Sequence, residues 1–267
     1  MKHKPSELHA AVRDILVRLK LHLAAEELAK RLIEAGQADA LHTVIEVLEL
    51  EASDRHQRKV TRLLKASHLP TAKTLAALDP AALPRPLLQK IRELAEGAFV
   101  EHATNVLLFG RPGVGKTHTA CALGHALVQK GHSVLFMPTF RLVQELLAAK
   151  RDLALPRALR KLDLFDVLIL DDIGYVQQAP EEVEVLFTLL AERYERRSLV
   201  ITSNLVFSEW DRIFKNPMTT AAAIDRLVHH AVILEFDVPS YRSPRGNGKD
   251  ASSGRPSRKE VKPSLVP

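Results

Sequence analysis

A short apolar run, NVLLF (105–109), leads into GRPGVGKT, Gly110 to Thr117, and then into HTACALGHALVQK (118–130). This feature constrains the chain more than any other, because G-x-x-x-x-G-K-T between a strand and a helix demands one geometry. Glycines curl the backbone so that successive N–H groups face phosphate oxygens, and the following helix points its positive end at the same place. The loop residues Gly110, Arg111, Pro112, Gly113, Val114, Gly115, Lys116, Thr117 and His118 are therefore the expected phosphate and nucleotide contacts. Lys116 is expected to reach the β and γ phosphates and Thr117 to hold Mg2+.

Downstream, further apolar runs SVLFM, VLIL, LVIT and VILEF alternate with helical stretches. That rhythm predicts an α/β fold, a parallel sheet covered by helices on both faces as in P-loop NTPases. A nucleoside triphosphate site needs a second metal anchor, and LFDVLILDDIG supplies one. Asp171 is expected to bind Mg2+ through water, and Asp172 to orient the attacking water and accept its proton. Two carboxylates at a strand end also fit a solvated turn. The strand SLVITSN ends in Ser203 and Asn204 at the edge where open α/β sheets bind ligands. Asn204 reads either as a contact to the γ phosphate or water, or as a turn former. Arg226, in AAAIDRLVHH, reads either as an ion-pair partner of Asp225 or as a finger completing a neighbour's site.

Upstream the texture is different. Leu8, Val12, Ile15, Leu16 and Leu19 fall at helical spacing, as do Leu28, Leu32 and Ile33, and a third helix is expected after Asp39 as N-cap. The next segment, RHQRKVTRLLK, gathers Arg55, Arg58, Lys59, Arg62 and Lys65 on one helical face opposite Val60, Leu63 and Leu64. No acidic residue lies between Asp54 and Asp79, so this stripe reads as cations without local partners, either for DNA phosphates or as a solvated face. The proline-rich 69–86 reads as a linker before a helix at 87–96. The expected division is a helical DNA-binding and assembly module at 1–68, a linker and lead-in helix at 69–104, an ATPase domain at 105–242 and a basic, disordered tail at 243–267.

Charge supports local clustering over a global field. The formal net charge is +6, but six basic residues against two acidic ones in 243–267 leave the rest at only +2. The single cysteine, Cys121, excludes an internal disulfide framework and fits a reducing cytoplasm; it reads as a small core residue. No stretch approaches the apolar length of a membrane span. His118, His125, His229 and His230 show no metal-ligand spacing and read as ordinary polar positions, and Trp210 reads as a packing residue.

Together the helical N-terminal module, NVLLFGRPGVGKTH, VLILDDIGY, LLAERYERRSLVITSN, FSEW and AAAIDRLVHH through SYR resemble the AAA+ ATPases of the DnaC-like helicase-loader branch. Among them the chain is most similar to the IstB-type transposition helpers of insertion sequences. The resemblance implies ATP and Mg2+ as ligands, Asn204 as first sensor, Arg226 as arginine finger across a subunit boundary and Arg242 as second sensor. It also implies a nucleotide-dependent homo-oligomer on double-stranded DNA, target-DNA bending, and an IstA-type transposase as partner in a nucleoid-associated, cytoplasmic setting, with ATP hydrolysis as timer. Asp172 departs from the glutamate common in the wider class, and the residues after Arg242 are too few and too polar for its helical lid. Five phosphate contacts per subunit would give a log–log salt slope near −4.5 (about −0.9 each). The alternatives are a helicase loader, a small-molecule phosphotransferase and a non-catalytic, ATP-gated DNA-binding module.

Overall fold

The computed structural model describes residues 5–175, 179–214 and 216–240. Arg242 and the 243–267 tail, each assigned a role above, lie outside the described residues. Among the described residues, five strands form one wholly parallel sheet: β1 (Asn105–Gly110), β2 (Val134–Pro138), β3 (Val167–Asp171), β4 (Ser198–Ser203) and β5 (Ala231–Phe236). Their order across the sheet is β2-β3-β4-β1-β5. Each apolar run identified in the sequence is one of these strands. Their continuous hydrophobicity follows from burial on both faces.

Alternation along the strands divides the core. Leu107, Phe109, Leu168, Leu170, Leu199 and Ile201 face one helical layer, made by α7 (Thr139–Arg151), α8 (Leu155–Leu162), α9 (Pro180–Arg193), α10 (Asp211–Phe214) and α11 (Pro217–Val228). Val106, Leu108, Val167, Ile169 and Val200 face the other, where α6 (Lys116–Gln129) and α4 (Arg85–Ala95) lie, with α5 (Ala98–Glu101) between α4 and β1. Cys121 is fully buried on α6, and desolvation pushes its thiol up to about 12, which makes it an inert packing residue. Trp210 is also fully buried, packed with Phe109, Phe207 and Phe214. The fold thus brings Phe109 from β1 against it, beside the sequence neighbours Phe207 and Phe214, on the inside of the protein.

The N-terminal region is helical as expected: α1 (Pro5–Arg18), α2 (His22–Glu34) and α3 (Ala40–Ser67). Leu8, Val12, Leu16, Ala25, Ala29 and Leu41 form its own core. The basic segment is not a separate helix but the second half of α3, whose 28 residues span about 42 Å. Val60, from that half, joins the core beneath the sheet. Asp39 does not cap the helix with its side chain. It has helical angles, and the first N–H groups are taken by the carbonyls of Gln37, Ala38 and Asp39, so the preceding turn supplies the cap. Among the described residues, no helix is long and apolar enough to cross a membrane.

Candidate functional site

The loop between β1 and α6 takes the conformation its glycines permit. Gly113 has φ 85° and Gly115, which opens α6, has φ 101°. At Gly110 a Cβ would lie 2.7 Å from the Phe236 carbonyl oxygen, so β5 approaches too closely for any side chain. Lys116 sits at the first turn of α6 and its Nζ donates to the carbonyls of Gly110 (2.6 Å) and Arg111 (2.9 Å). The ammonium is thereby curled over the loop that would hold phosphates.

Parallel registry brings the second anchor to the same edge. Leu170 pairs with Ile201 and Phe109 with Ser203, so Asp171, Thr202, Asn204 and Gly110 all cluster at the carboxyl ends of three adjacent strands. The Asp171 carboxylate accepts from the Thr117 hydroxyl at 2.8 Å and from the Thr202 hydroxyl at 2.7 Å. Thr202 acts doubly, since its oxygen also accepts from the Asp172 N–H at 2.8 Å. Asp172 has φ 61°, a left-handed conformation that aspartate and asparagine tolerate better than most residues. Burial, and then the neighbouring Asp171 charge, raise its pKa, while Lys116 opposes the shift. Such a carboxylate is a stronger base than one in water.

Asn204 completes the group. Its Oδ1 is buried without a hydrogen-bond partner among the described residues, and it would lie 2.5 Å from a Cβ placed on Gly174, two residues beyond Asp172. A buried acceptor left open in this way has a cost in the protein alone. Thr117 and Asp171, oxygen donors 2.8 Å apart, suit a hard cation such as Mg2+. The residues present therefore fit a magnesium–nucleotide complex.

One wall of the site was not legible as such. A pocket of about 430 Å3 is lined by Gly113 to Thr119 on one side and by Lys73, Ala77, Leu78, Asp79 and Leu83 on the other. The segment read as a linker is thus folded onto the phosphate loop, with Leu69 and Leu83 buried in the core. Two histidines hold it there. His118 Nε2 donates to the Thr74 carbonyl and His125 Nε2 to the Pro70 carbonyl, each at 3.0 Å. They are seven residues apart, two turns along one face of α6, and that spacing was the available signal. His118 both lines the pocket and anchors its wall.

Arg226 does not pair with Asp225, because consecutive helical residues point in different directions. Its guanidinium lies 4.8 Å from the centroid of the Phe187 ring and donates to the Ala222 carbonyl at 3.0 Å. It does not line the pocket beside the phosphate loop. The basic stripe is also corrected in part. All five side chains are exposed on one face of α3, but Arg55 pairs with Glu51, and Arg58 with Asp54 and, at 4.0 Å, with Glu51. The partners are one turn upstream, outside the acid-free interval. Lys59, Arg62 and Lys65 make no ion pair among the described residues.

With this geometry established, similarity to known proteins places the chain. The family of IstB-like ATP binding proteins matches residues 15–247. The chain belongs to this family. A relative from Sinorhizobium fredii, named as an insertion-sequence ATP-binding protein, is 46% identical over 211 residues, covering 79% of this chain and 71% of the relative. The insertion sequence IS21 relative of Pseudomonas aeruginosa, also named as ATP-binding, is 41% identical over 85% of this chain and 87% of its own length. Among solved structures, the DnaC helicase loader is similar with a TM-score of 0.51 at 20% identity, covering 66% of this chain and 98% of that one. AMPPCP-bound DnaA from Aquifex aeolicus gives 0.54 at 16% identity, covering 64% and 51%. The fold is therefore that of the P-loop AAA+ proteins, preceded by a helical region.

Proposed function

We propose that the chain is an ATP-dependent DNA-binding regulator of transposition, which assembles on target DNA, remodels it and presents it to an IstA-type transposase. The observation that carries this is the convergence of Lys116, Thr117, Asp171, Asp172 and Asn204 at the carboxyl ends of β1, β3 and β4, in a chain of the IstB-like family.

Lys116 and the loop N–H groups hold the phosphates of ATP, and the apolar wall of Ala77, Leu78 and Leu83 receives the base. Thr117 and Asp171 hold Mg2+, which neutralises charge on the phosphates. Asp172 takes a proton from the attacking water, while Asn204 Oδ1 accepts from that water and so orients it. Arg226 reaches the γ phosphate of a neighbouring copy, so that ATP closes a boundary between subunits and hydrolysis loosens it. The chain is on this reading an ATPase, slow alone and stimulated by DNA, with hydrolysis timing how long the assembly holds its DNA.

The face of α3 carrying Lys59, Arg62 and Lys65 supplies the unpaired cations for DNA phosphates, with Arg55 and Arg58 joining by exchanging carboxylate for phosphate. Such contacts give affinity with little base readout. Changing Arg62 and Lys65 together to alanine is expected to flatten the slope of log affinity against log salt by about 1.8 per subunit, at about 0.9 per phosphate contact. Binding of the two proteins to duplex DNA, titrated across salt in a non-hydrolysable ATP analogue, measures it. Equal slopes would remove this face from the interface.

A further inference from the structure

Away from the phosphate loop, two segments meet at the protein surface. The turn between α9 and β4 carries Tyr194 and Glu195, and the junction between α11 and β5 carries His229 and His230. One oxygen of Glu195 lies 3.7 Å from His229 Nδ1 and 3.8 Å from His230 Nε2, and one ligand atom from each of the three residues lies within 4.8 Å of the other two. The imidazole rings meet edge to face with centroids 4.3 Å apart. Ligand atoms bonded at about 2.0–2.2 Å to one tetrahedral ion stand about 3.3–3.5 Å from each other. The two carboxylate–imidazole separations thus need only a few tenths of an ångström of closure, and the widest separation roughly one ångström more. All three side chains are more than half exposed and can rotate to make it.

We propose that Glu195, His229 and His230 bind one late first-row divalent metal ion, zinc in particular. Two imidazoles and a carboxylate form a borderline-soft donor set, which selects zinc, cobalt or nickel over the magnesium that hard oxygen ligands hold at Thr117 and Asp171. The Tyr194 hydroxyl lies 3.1 Å from His229 Nδ1. A metal at Nδ1 needs the neutral imidazole with its proton on Nε2, and it displaces this hydroxyl, because the single Nδ1 lone pair cannot serve both. Glu195 has φ 55°, in the left-handed region unusual for a glutamate, at the turn that brings its carboxylate to the histidines. A bound ion would cross-link this turn to the end of α11 and leave one coordination position open to water or another molecule.

The test uses the full-length chain without a purification tag or nucleotide, with Co2+ as the spectroscopic substitute for zinc. Saturation at one Co2+ per chain is expected, with visible d–d bands of a four- or five-coordinate site that zinc bleaches and millimolar Mg2+ does not. His230→Ala and Glu195→Gln should each weaken uptake at least about tenfold, while His102→Ala, at an exposed histidine just after α5 and outside the cluster, leaves it unchanged. Circular dichroism verifies that the variants are folded, as expected for exposed positions. No stoichiometric uptake by the unaltered protein, displacement by Mg2+, or unchanged affinity in both site variants would overturn the proposal.

Discussion

Arg226→Ala is expected to lower ATP turnover in the assembled state by about three orders of magnitude, the lower range for loss of an arginine finger, with nucleotide binding unchanged. The residue sits on α11 with its guanidinium over Phe187, and it does not line the pocket of its own phosphate loop. Removing it sacrifices a cation–π contact worth about 0.5–1 kcal/mol, too little to unfold the domain. A mixing experiment then separates action between copies from action within one. Copies carrying Lys116→Ala keep their arginine but have a disabled site; copies carrying Arg226→Ala keep the site but lack the finger. Mixed together, the two inactive proteins should regain turnover that neither has alone. Absence of any recovery would place Arg226 outside the neighbour's site.

Asp172→Asn should lower hydrolysis by about 100- to 10,000-fold, the usual contribution of a general base, while retaining ATP and prolonging the DNA-bound assembly. Asparagine is the replacement of choice because the φ of 61° suits it as well as aspartate. The same change should stabilise the nucleotide-free protein at neutral pH. Burial and the adjacent Asp171 raise the folded-state pKa of Asp172, so its ionised form costs stability above the unfolded value. That cost is relieved as pH falls through the raised folded pKa, and removing the charge relieves it at pH 7. A higher melting temperature for the variant at pH 7, converging on the unaltered protein in acid, measures this part. Equal lifetimes of the two proteins on DNA would contradict hydrolysis as a timer.

What the sequence disclosed and what it hid divide along physical lines. Strands buried on both faces announce themselves as unbroken apolar runs, and all five were readable, as were the phosphate loop and the Asp171–Asp172 pair. The Asp171–Thr202 bond needed strand registry, which no local pattern encodes. The wall of the nucleotide pocket was hidden because prolines at 70, 80, 84 and 86 make a tethered strap look like a free linker. Its tethers, His118 and His125, donate to backbone carbonyls, and these carry no residue signature. The stripe on α3 looked unpaired because its acids, Glu51 and Asp54, precede the acid-free interval, each one turn upstream of the arginine it pairs with. His229 and His230 lacked a motif because their carboxylate neighbour, Glu195, comes from a turn more than thirty residues upstream.

On the proposed function, ATP held at Lys116, Thr117 and Asp171 joins neighbouring copies so that their α3 faces grip a duplex together. Sedimentation of the purified chain with a long double-stranded DNA, with and without a non-hydrolysable ATP analogue, tests it most directly. Large DNA-bound assemblies should form only with the nucleotide and be absent for Lys116→Ala. A chain that stays monomeric and unbound in the presence of both ligands would contradict it.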